Sequence, residues 1–206
     1  MPLTKEKKRA IGRAARFFRN VPFADSAILS GSCAMGTAKE NSDIDVFVCA
    51  RPRHIWTARF FTLLFADAVG IRNKGKNPKD KICLSLFISP GSYRLSGPES
   101  EYGERVYSSV CPLYGKESDL NVFFEENKDL LPPDFMEKRD FWSDMKKPFL
   151  IESIEKILNG GFGDRIELIL RRIQTHRIER YLSGLKEGKM WIVLSDKRVE
   201  THYNVK

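Results

Sequence analysis

The sequence is short of the residues that mark several classes of protein. Only four of its 206 residues are cysteine, and no two of them stand in Cys-x-x-Cys spacing. The three histidines are scattered, which argues against a zinc site, and so few cysteines exclude a disulfide scaffold. Glycine and proline, at 14 and 10 residues, are too few for a collagen-like or low-complexity chain.

Long apolar runs are also absent. The longest spans residues 55–71, contains Arg59 and Asp67, and is too short to cross a bilayer comfortably. The basic N-terminal stretch has no apolar segment behind it, so it does not fit a secretory signal peptide. We therefore expect a cytoplasmic protein with reduced thiols and no membrane partner.

Positive charge is what the sequence has in excess. Lys and Arg number 35 against 27 Asp and Glu, and the net charge of +8 favours acidic partners such as nucleic acid, nucleotide phosphates or a membrane surface. The excess is local: residues 1–20 hold seven basic residues and one acid, which predicts a solvated or a phosphate-facing helix face. Residues 72–81 hold five basic residues and one acid, whereas residues 97–140 are acidic.

Hydrophobic periodicity predicts an α/β (α+β) fold, in which a small mixed sheet is flanked by helices. Helices are expected over residues 4–20, 54–70, 148–158 and 164–184, and strands over 26–29, 44–49 and 82–88. Thr4 is the expected cap of the first helix, and Asp164 with Glu167 forms a capping-box pattern for the last.

The second half of the chain differs in character from the first. Residues 99–131 are predicted to be rich in helix, with CPLYG at 111–115 as a turn, and the C-terminal sequence predicts a terminal β-hairpin around residues 195–197. We therefore expect a core in residues 1–95 and a mainly helical region with terminal strands in residues 96–206.

The chemistry-bearing residues lie between positions 27 and 48. A predicted strand ends at Gly31-Ser32, and after ten intervening residues Asp43-Ile44-Asp45 opens a second apolar strand. Side chains two apart in a strand share a face, so Asp43 and Asp45 are expected to project together. Paired carboxylates repel unless a cation lies between them, and they suit Mg²⁺, which also binds substrate phosphates. Gly31 permits close backbone approach to a ligand, and Ser32 with the N–H groups that follow can bind phosphate.

These residues resemble the nucleotidyltransferase superfamily that includes DNA polymerase beta, CCA-adding enzymes, aminoglycoside nucleotidyltransferases and the minimal nucleotidyltransferases of toxin–antitoxin pairs. The family motif falls here on Gly31, Ser32, Asp43 and Asp45, and the resemblance covers about residues 27–89. It implies the nucleotidyltransferase fold, a pair of Mg²⁺ ions with Mn²⁺ as the alternative, and an NTP as donor. It further implies transfer of a nucleoside monophosphate to an acceptor hydroxyl.

The resemblance is incomplete at a third carboxylate. Active family members carry this acid on a later strand, often as the base that activates the acceptor. The matching strand has no acid: alternation puts Ile82, Leu84, Leu86 and Ile88 on one face and Cys83, Ser85 and Phe87 on the other. Asp80, just before that strand, is the nearest candidate for the base.

Lys74 and Lys81, in the basic loop before that strand, are candidates for contact with the nucleotide, and a solvated turn is the alternative. The leading hypothesis is a Mg²⁺-dependent nucleotidyltransferase whose acceptor is RNA or protein. One alternative, motivated by the missing third acid, is a non-catalytic nucleotide- or RNA-binding module on the same fold. Another is a partner within a toxin–antitoxin pair that binds through the acidic region.

Overall fold

The computed structural model describes residues 3–95, 107, 109–131, 133–137, 140–184 and 190–203. The helices are α1 (Lys5–Phe18), α2 (Gly31–Ala34), α3 (Ile55–Ala68), α4 (Glu117–Asn127), α5 (Phe149–Leu158) and α6 (Gly161–Ser183). The strands are β1 (Ala24–Ser30), β2 (Ile44–Ala50), β3 (Ile82–Ile88), β4 (Cys111–Gly115), β5 (Met190–Leu194) and β6 (Arg198–Tyr203). Within the described ranges, no helix is both long and apolar enough to span a membrane.

The strands form one mixed sheet in the order β4-β1-β2-β3-β6-β5. β2 and β3 are parallel and are connected through α3, whereas the other neighbouring strands are antiparallel. This arrangement confirms the mixed α/β fold and the terminal hairpin predicted from the sequence. Strands β1 to β3 precede residue 95 in the chain, and β4 to β6 follow it. The division into a core of residues 1–95 and a C-terminal region stays a prediction.

The sheet separates two apolar clusters. On one face, Ala27, Leu29 and Val48 of the central strands pack with residues of α1 and α3. On the other face, Ile28 and Phe47 pack with Leu120 and Phe123 of α4 and with Phe135. Burying one large apolar side chain contributes about 1.5–3 kcal/mol, so the central strands are held firmly from both sides.

A β-bulge in β3 corrects the face assignment made from simple alternation. Asp45 pairs with Cys83, but Phe47 pairs with Leu86, so β3 contains one more residue than β2 in this interval. The extra residue reverses the alternation. Leu86 and Ile88 therefore pack in one cluster and Phe87 in the other, and the expected grouping of Ile82 with Leu86 and Ile88 is wrong.

CPLYG at residues 111–115 is strand β4, so the turn expected there is wrong. Pro112 cannot donate a backbone hydrogen bond, which is tolerated because β4 lies at the edge of the sheet. Much of the acidic region that precedes β4, residues 96–106, lies outside the described residues. The helix-rich character expected up to residue 131 is present in α4.

The first helix is capped as expected, because the Thr4 hydroxyl accepts a hydrogen bond from the Lys7 backbone N–H. The capping box expected for the last helix is wrong. Helix α6 begins at Gly161, and Glu167 instead accepts hydrogen bonds from the backbone N–H groups of Trp56 and Thr57, both at 2.8 Å. Glu167 therefore caps α3, whose first-turn N–H groups have no partner within their own helix.

Candidate active site

Three potential metal ligands meet at the start of the parallel strands. The ligand atoms of Asp43, Asp45 and Cys83 all lie within 4.8 Å of one another, and all three residues are partly buried. Asp43 immediately precedes β2, and Asp45 pairs with Cys83 across the β2–β3 register. We call these three residues the Asp–Asp–Cys cluster. Within the described part of the chain it is the only group of three His, Cys, Asp or Glu residues placed this closely.

Gly31 brings the end of β1 against this cluster. Its φ of +63° is in the left-handed region, where a side chain is strained. A Cβ at this position would lie 3.0 Å from Cγ of Asp45 and closer still to its Oδ2. Glycine is therefore required both by the backbone and by the carboxylate packed on it. Ser32 follows in the short helix α2, one residue from this contact.

Ser30 is a site residue that the sequence did not reveal. It lies directly opposite Asp45 in the β1–β2 register, so both side chains are on the same face of the sheet. Its side chain is almost fully buried, and its hydroxyl has no hydrogen-bond partner among the described residues. A buried hydroxyl without a partner costs about 1–3 kcal/mol, which marks the position as one suited to a ligand or an ordered water.

Asn73 is a second site residue that the sequence pattern missed. Its Nδ2 donates a hydrogen bond of 2.7 Å to Oδ2 of Asp43, and its Oδ1 accepts one from the Gly75 backbone N–H. The Asn73 backbone N–H donates to the carbonyl of Ile82 and holds the loop beside β3. Asn73 therefore fixes the orientation of the Asp43 carboxylate. No pattern in the basic loop distinguishes this residue from the other polar residues there.

Two thiols lie near the carboxylates. The Cys33 thiol donates a hydrogen bond to the Asp43 carbonyl at 3.2 Å, and burial raises its pKa to about 11. Burial also raises the pKa of Cys83, and the negative charges of Asp45 and Asp43 and a hydrogen bond with Asp45 raise it further. In the protein without metal, both thiols are therefore neutral near pH 7.

Asp80, the predicted base, forms an ion pair with a buried lysine. Lys7 Nζ lies 2.6 Å from Asp80 Oδ1, and the Lys7 residue is only 3% exposed. The same ammonium donates to the backbone carbonyl of Ser42 at 2.6 Å. Lys7 therefore belongs neither to a solvated nor to a phosphate-facing surface. Asp80 is not part of the Asp–Asp–Cys cluster, and its role as the base stays a prediction.

The two predicted phosphate-binding lysines lie outside the cluster. Lys74 is largely exposed and pairs with Asp67, with 2.9 Å between Nζ and Oδ1. The Lys81 ammonium donates to the carbonyl of Gly70, and Lys81 lines a cleft together with Arg13 and Lys79. Their contact with a nucleotide stays a prediction.

Comparison with known proteins supplies one match. The family model of the nucleotidyltransferase domain matches residues 13–157, which is well over half of the chain. The matched segment includes strands β1 to β4, Gly31 and the whole Asp–Asp–Cys cluster, and it extends on both sides of the motif. Neither the curated proteins nor the solved structures give a significant match.

Proposed function

The chain belongs to the nucleotidyltransferase domain family of the DNA polymerase beta-like superfamily, and we propose that it transfers a nucleoside monophosphate from an NTP to an acceptor hydroxyl. The observation that carries this proposal is the approach of the Asp43 and Asp45 carboxylates beside Gly31. Paired carboxylates next to a close backbone approach are what a metal-bound triphosphate requires.

Asp43 and Asp45 are the residues that would hold Mg²⁺, or Mn²⁺ in its place. Their donor chemistry fits, because these ions take one or two carboxylates and complete their shell with water and phosphate oxygens. The unpartnered hydroxyl of Ser30, on the same face as Asp45, adds a further oxygen at this end of the sheet. When bound, the metal neutralises the charge that develops on the transferred phosphoryl group.

Gly31 and Ser32 would hold the phosphates. Because Gly31 has no side chain, the Asp45 carboxylate packs directly on the turn that carries Ser32. Phosphates bound by the Ser32 hydroxyl would therefore lie next to the carboxylates. Asn73 would keep the Asp43 carboxylate oriented throughout, since their hydrogen bond does not depend on a ligand. This positioning is the main contribution a protein makes to phosphoryl transfer.

RNA or a protein hydroxyl is the acceptor we propose, in a cytoplasmic setting. The cleft next to Asp80 is lined by Arg13, Lys79 and Lys81, of which Lys79 also pairs with Glu40, and this positive charge favours a polyanionic acceptor such as RNA. Asp80 would accept the proton of the attacking hydroxyl in this proposal. To do so it would have to leave its ion pair with Lys7.

A non-catalytic nucleotide-binding module is the second candidate, and a specific observation favours it. Strand β3 matches the strand on which active family members carry a third acid, and the residue that it places opposite Asp45 is Cys83. A site with two carboxylates would still hold a metal and a nucleotide, but it would have no carboxylate on β3 to activate the acceptor.

Transfer of label from NTPs labelled at the α-phosphate tests the proposal. Each of the four NTPs is incubated with total RNA or with cell lysate, in Mg²⁺ or in Mn²⁺. We expect labelled acceptor with the wild-type protein and none with the D43N/D45N variant. The matched control is D140N, which alters an exposed acid far from the motif in sequence and should retain transfer.

Two other results would count against transfer. Equal labelling by the wild type and by D43N/D45N would refute the assignment of the site. Nucleotide binding in calorimetry without labelled acceptor or pyrophosphate release would refute the transferase and support the binding module. Circular dichroism of each variant shows whether loss of labelling comes from unfolding.

A further inference from the structure

We propose that Cys83 is a metal ligand together with Asp43 and Asp45, so that this site selects a thiophilic divalent ion, Zn²⁺ above all, over Mg²⁺. The inference rests on the same two carboxylates as the proposed nucleotide transfer, and by adding a third ligand it changes the preferred ion from the Mg²⁺ named there. It concerns the affinity of the chain for metal alone and requires neither nucleotide nor catalysis.

The first support is the distance between the donor atoms. The three ligand atoms lie within 4.8 Å of one another. In a tetrahedral zinc site with metal–ligand bonds of about 2.0–2.3 Å, neighbouring donors lie about 3.5 Å apart. Small rotations of the three side chains therefore bring the donors to bonding distance. Asp45 and Cys83 are direct partners in the register of β2 and β3, so the sheet itself holds these two side chains next to each other.

The second support is independent of the cluster and points to a ligand at the same place. The Ser30 side chain is 1% exposed, lies on the same face as Asp45, and has no hydrogen-bond partner for its hydroxyl among the described residues. An orphaned hydroxyl at this depth is satisfied when an ion or its bound water occupies the adjacent space.

The third support is the orientation of the carboxylate. Asn73 donates a hydrogen bond to Oδ2 of Asp43 and so fixes the orientation of the carboxylate. The other oxygen, Oδ1, is then the one that would bind a metal. Outer partners of this kind are common around protein metal sites and contribute about 10–100-fold to affinity or activity. Two acids that only contact solvent would not need a hydrogen bond to fix their orientation.

The choice of metal follows from the mixed donor set. Mg²⁺ is a hard ion that takes oxygen ligands and leaves a thiol uncoordinated, so it would gain nothing from Cys83. Zn²⁺ and Co²⁺ accept carboxylate and thiolate together, and Zn²⁺ displaces the Cys83 proton on binding. Three protein ligands leave a fourth zinc position open for water or a phosphate oxygen.

Absorption spectroscopy with Co²⁺ tests the inference directly. The full-length protein is stripped with a chelator and titrated with Co²⁺, without nucleotide, while the thiolate-to-cobalt charge-transfer band is recorded. We expect the band in the wild type and in C111S, which changes a buried cysteine on β4, and its loss in C83S and in D43N/D45N. Zn²⁺ should abolish the band at stoichiometric concentration, whereas Mg²⁺ should leave it at a hundredfold excess.

Replacing the thiol by a carboxylate should increase the affinity of the site for Mg²⁺ rather than abolish metal binding. C83D should raise the affinity for Mg²⁺ in calorimetry at least tenfold and remove the preference for Zn²⁺. No charge-transfer band in the wild type, an undiminished band in C83S, or equal competition by Mg²⁺ and Zn²⁺ would each overturn the inference. If the wild-type protein shows the band but labels no acceptor, nucleotide transfer is refuted and the metal site stands. If it labels acceptors with Mg²⁺ but shows no band, the thiolate ligand is refuted and nucleotide transfer stands.

Discussion

Replacing Lys7 by methionine should destabilise the protein strongly, although the other basic residues of α1 are exposed. The ammonium is buried, lies 2.6 Å from Asp80 Oδ1, and donates to the carbonyls of Ser42 at 2.6 Å and Glu40 at 3.3 Å. It thus connects α1 to the loop that leads into Asp43 and to the residues before β3. Methionine keeps the length and apolar stem of the side chain and removes only the charge and its donors.

The structure sets the size of the effect. Removing one partner of a buried ion pair costs about 3–5 kcal/mol, because the remaining charge is left uncompensated. The Asp80 side chain is 22% exposed, so water recovers part of the loss and about 3 kcal/mol is expected for K7M. Removing the charge of Asp80 as well should relieve most of this penalty. The double variant K7M/D80N should therefore be more stable than the sum of the single effects implies, with a coupling of about 1–3 kcal/mol.

Urea unfolding followed by circular dichroism measures these free energies for the wild type, K7M, D80N and K7M/D80N. K8M is the matched control, because Lys8 is the next residue on α1 and is exposed, and it should stay within about 0.5 kcal/mol of the wild type. The reasoning is refuted if K7M is as stable as K8M, or if the two single effects simply add. Labelling assays on D80N show separately whether Asp80 also acts in transfer.

Three further outcomes are expected. G31A should abolish nucleotide transfer, because its Cβ would collide with the Asp45 carboxylate at a positive φ; transfer at the wild-type rate in the labelling assay would contradict this. N73A should weaken metal binding about 10–100-fold in calorimetry by freeing the Asp43 carboxylate, and unchanged affinity would show that Asn73 is dispensable. Burial alone would raise the pKa of Glu155, but its pairing with Lys147 and Arg51 and the Phe23 N–H holds it below the ordinary value of 4.5. The resulting stability should be present above pH 4.5 and lost as the pH falls through the lowered pKa, so that E155Q flattens this acid dependence of the melting temperature.

Local patterns were sufficient for much of the fold. Thr4 caps α1, β3 spans Ile82–Ile88, and the chain ends in a hairpin, all as the sequence predicted. Each of these features depends on neighbours within a few residues, such as a cap, a run of alternating side chains or a turn. The same holds for the glycine-serine turn and the Asp43–Asp45 pair, which are one short segment of chain.

Errors in the fold arose where distant residues override a local preference. Pro112 favours a turn locally, but a place at the edge of the sheet accommodates it in β4. Asp164 and Glu167 have the spacing of a capping box, yet Glu167 caps the helix that begins at Ile55 instead. The bulge in β3 is invisible to alternation, since it is defined only by pairing with β2.

The other contacts in and around the candidate site join residues that are far apart in the chain. Cys83 meets Asp45 across 38 positions through the β2–β3 register, Asn73 reaches Asp43 across 30, and Lys7 reaches Asp80 across 73. The sequence alone identified the glycine-serine and Asp-x-Asp motif of the nucleotidyltransferase family, because that motif lies in one short segment and its spacing has a direct chemical meaning. Only the packing of the sheet and its loops decided which thiol and amide lie against the carboxylates and which acid pairs with the buried ammonium, because strand register and burial depend on the whole chain.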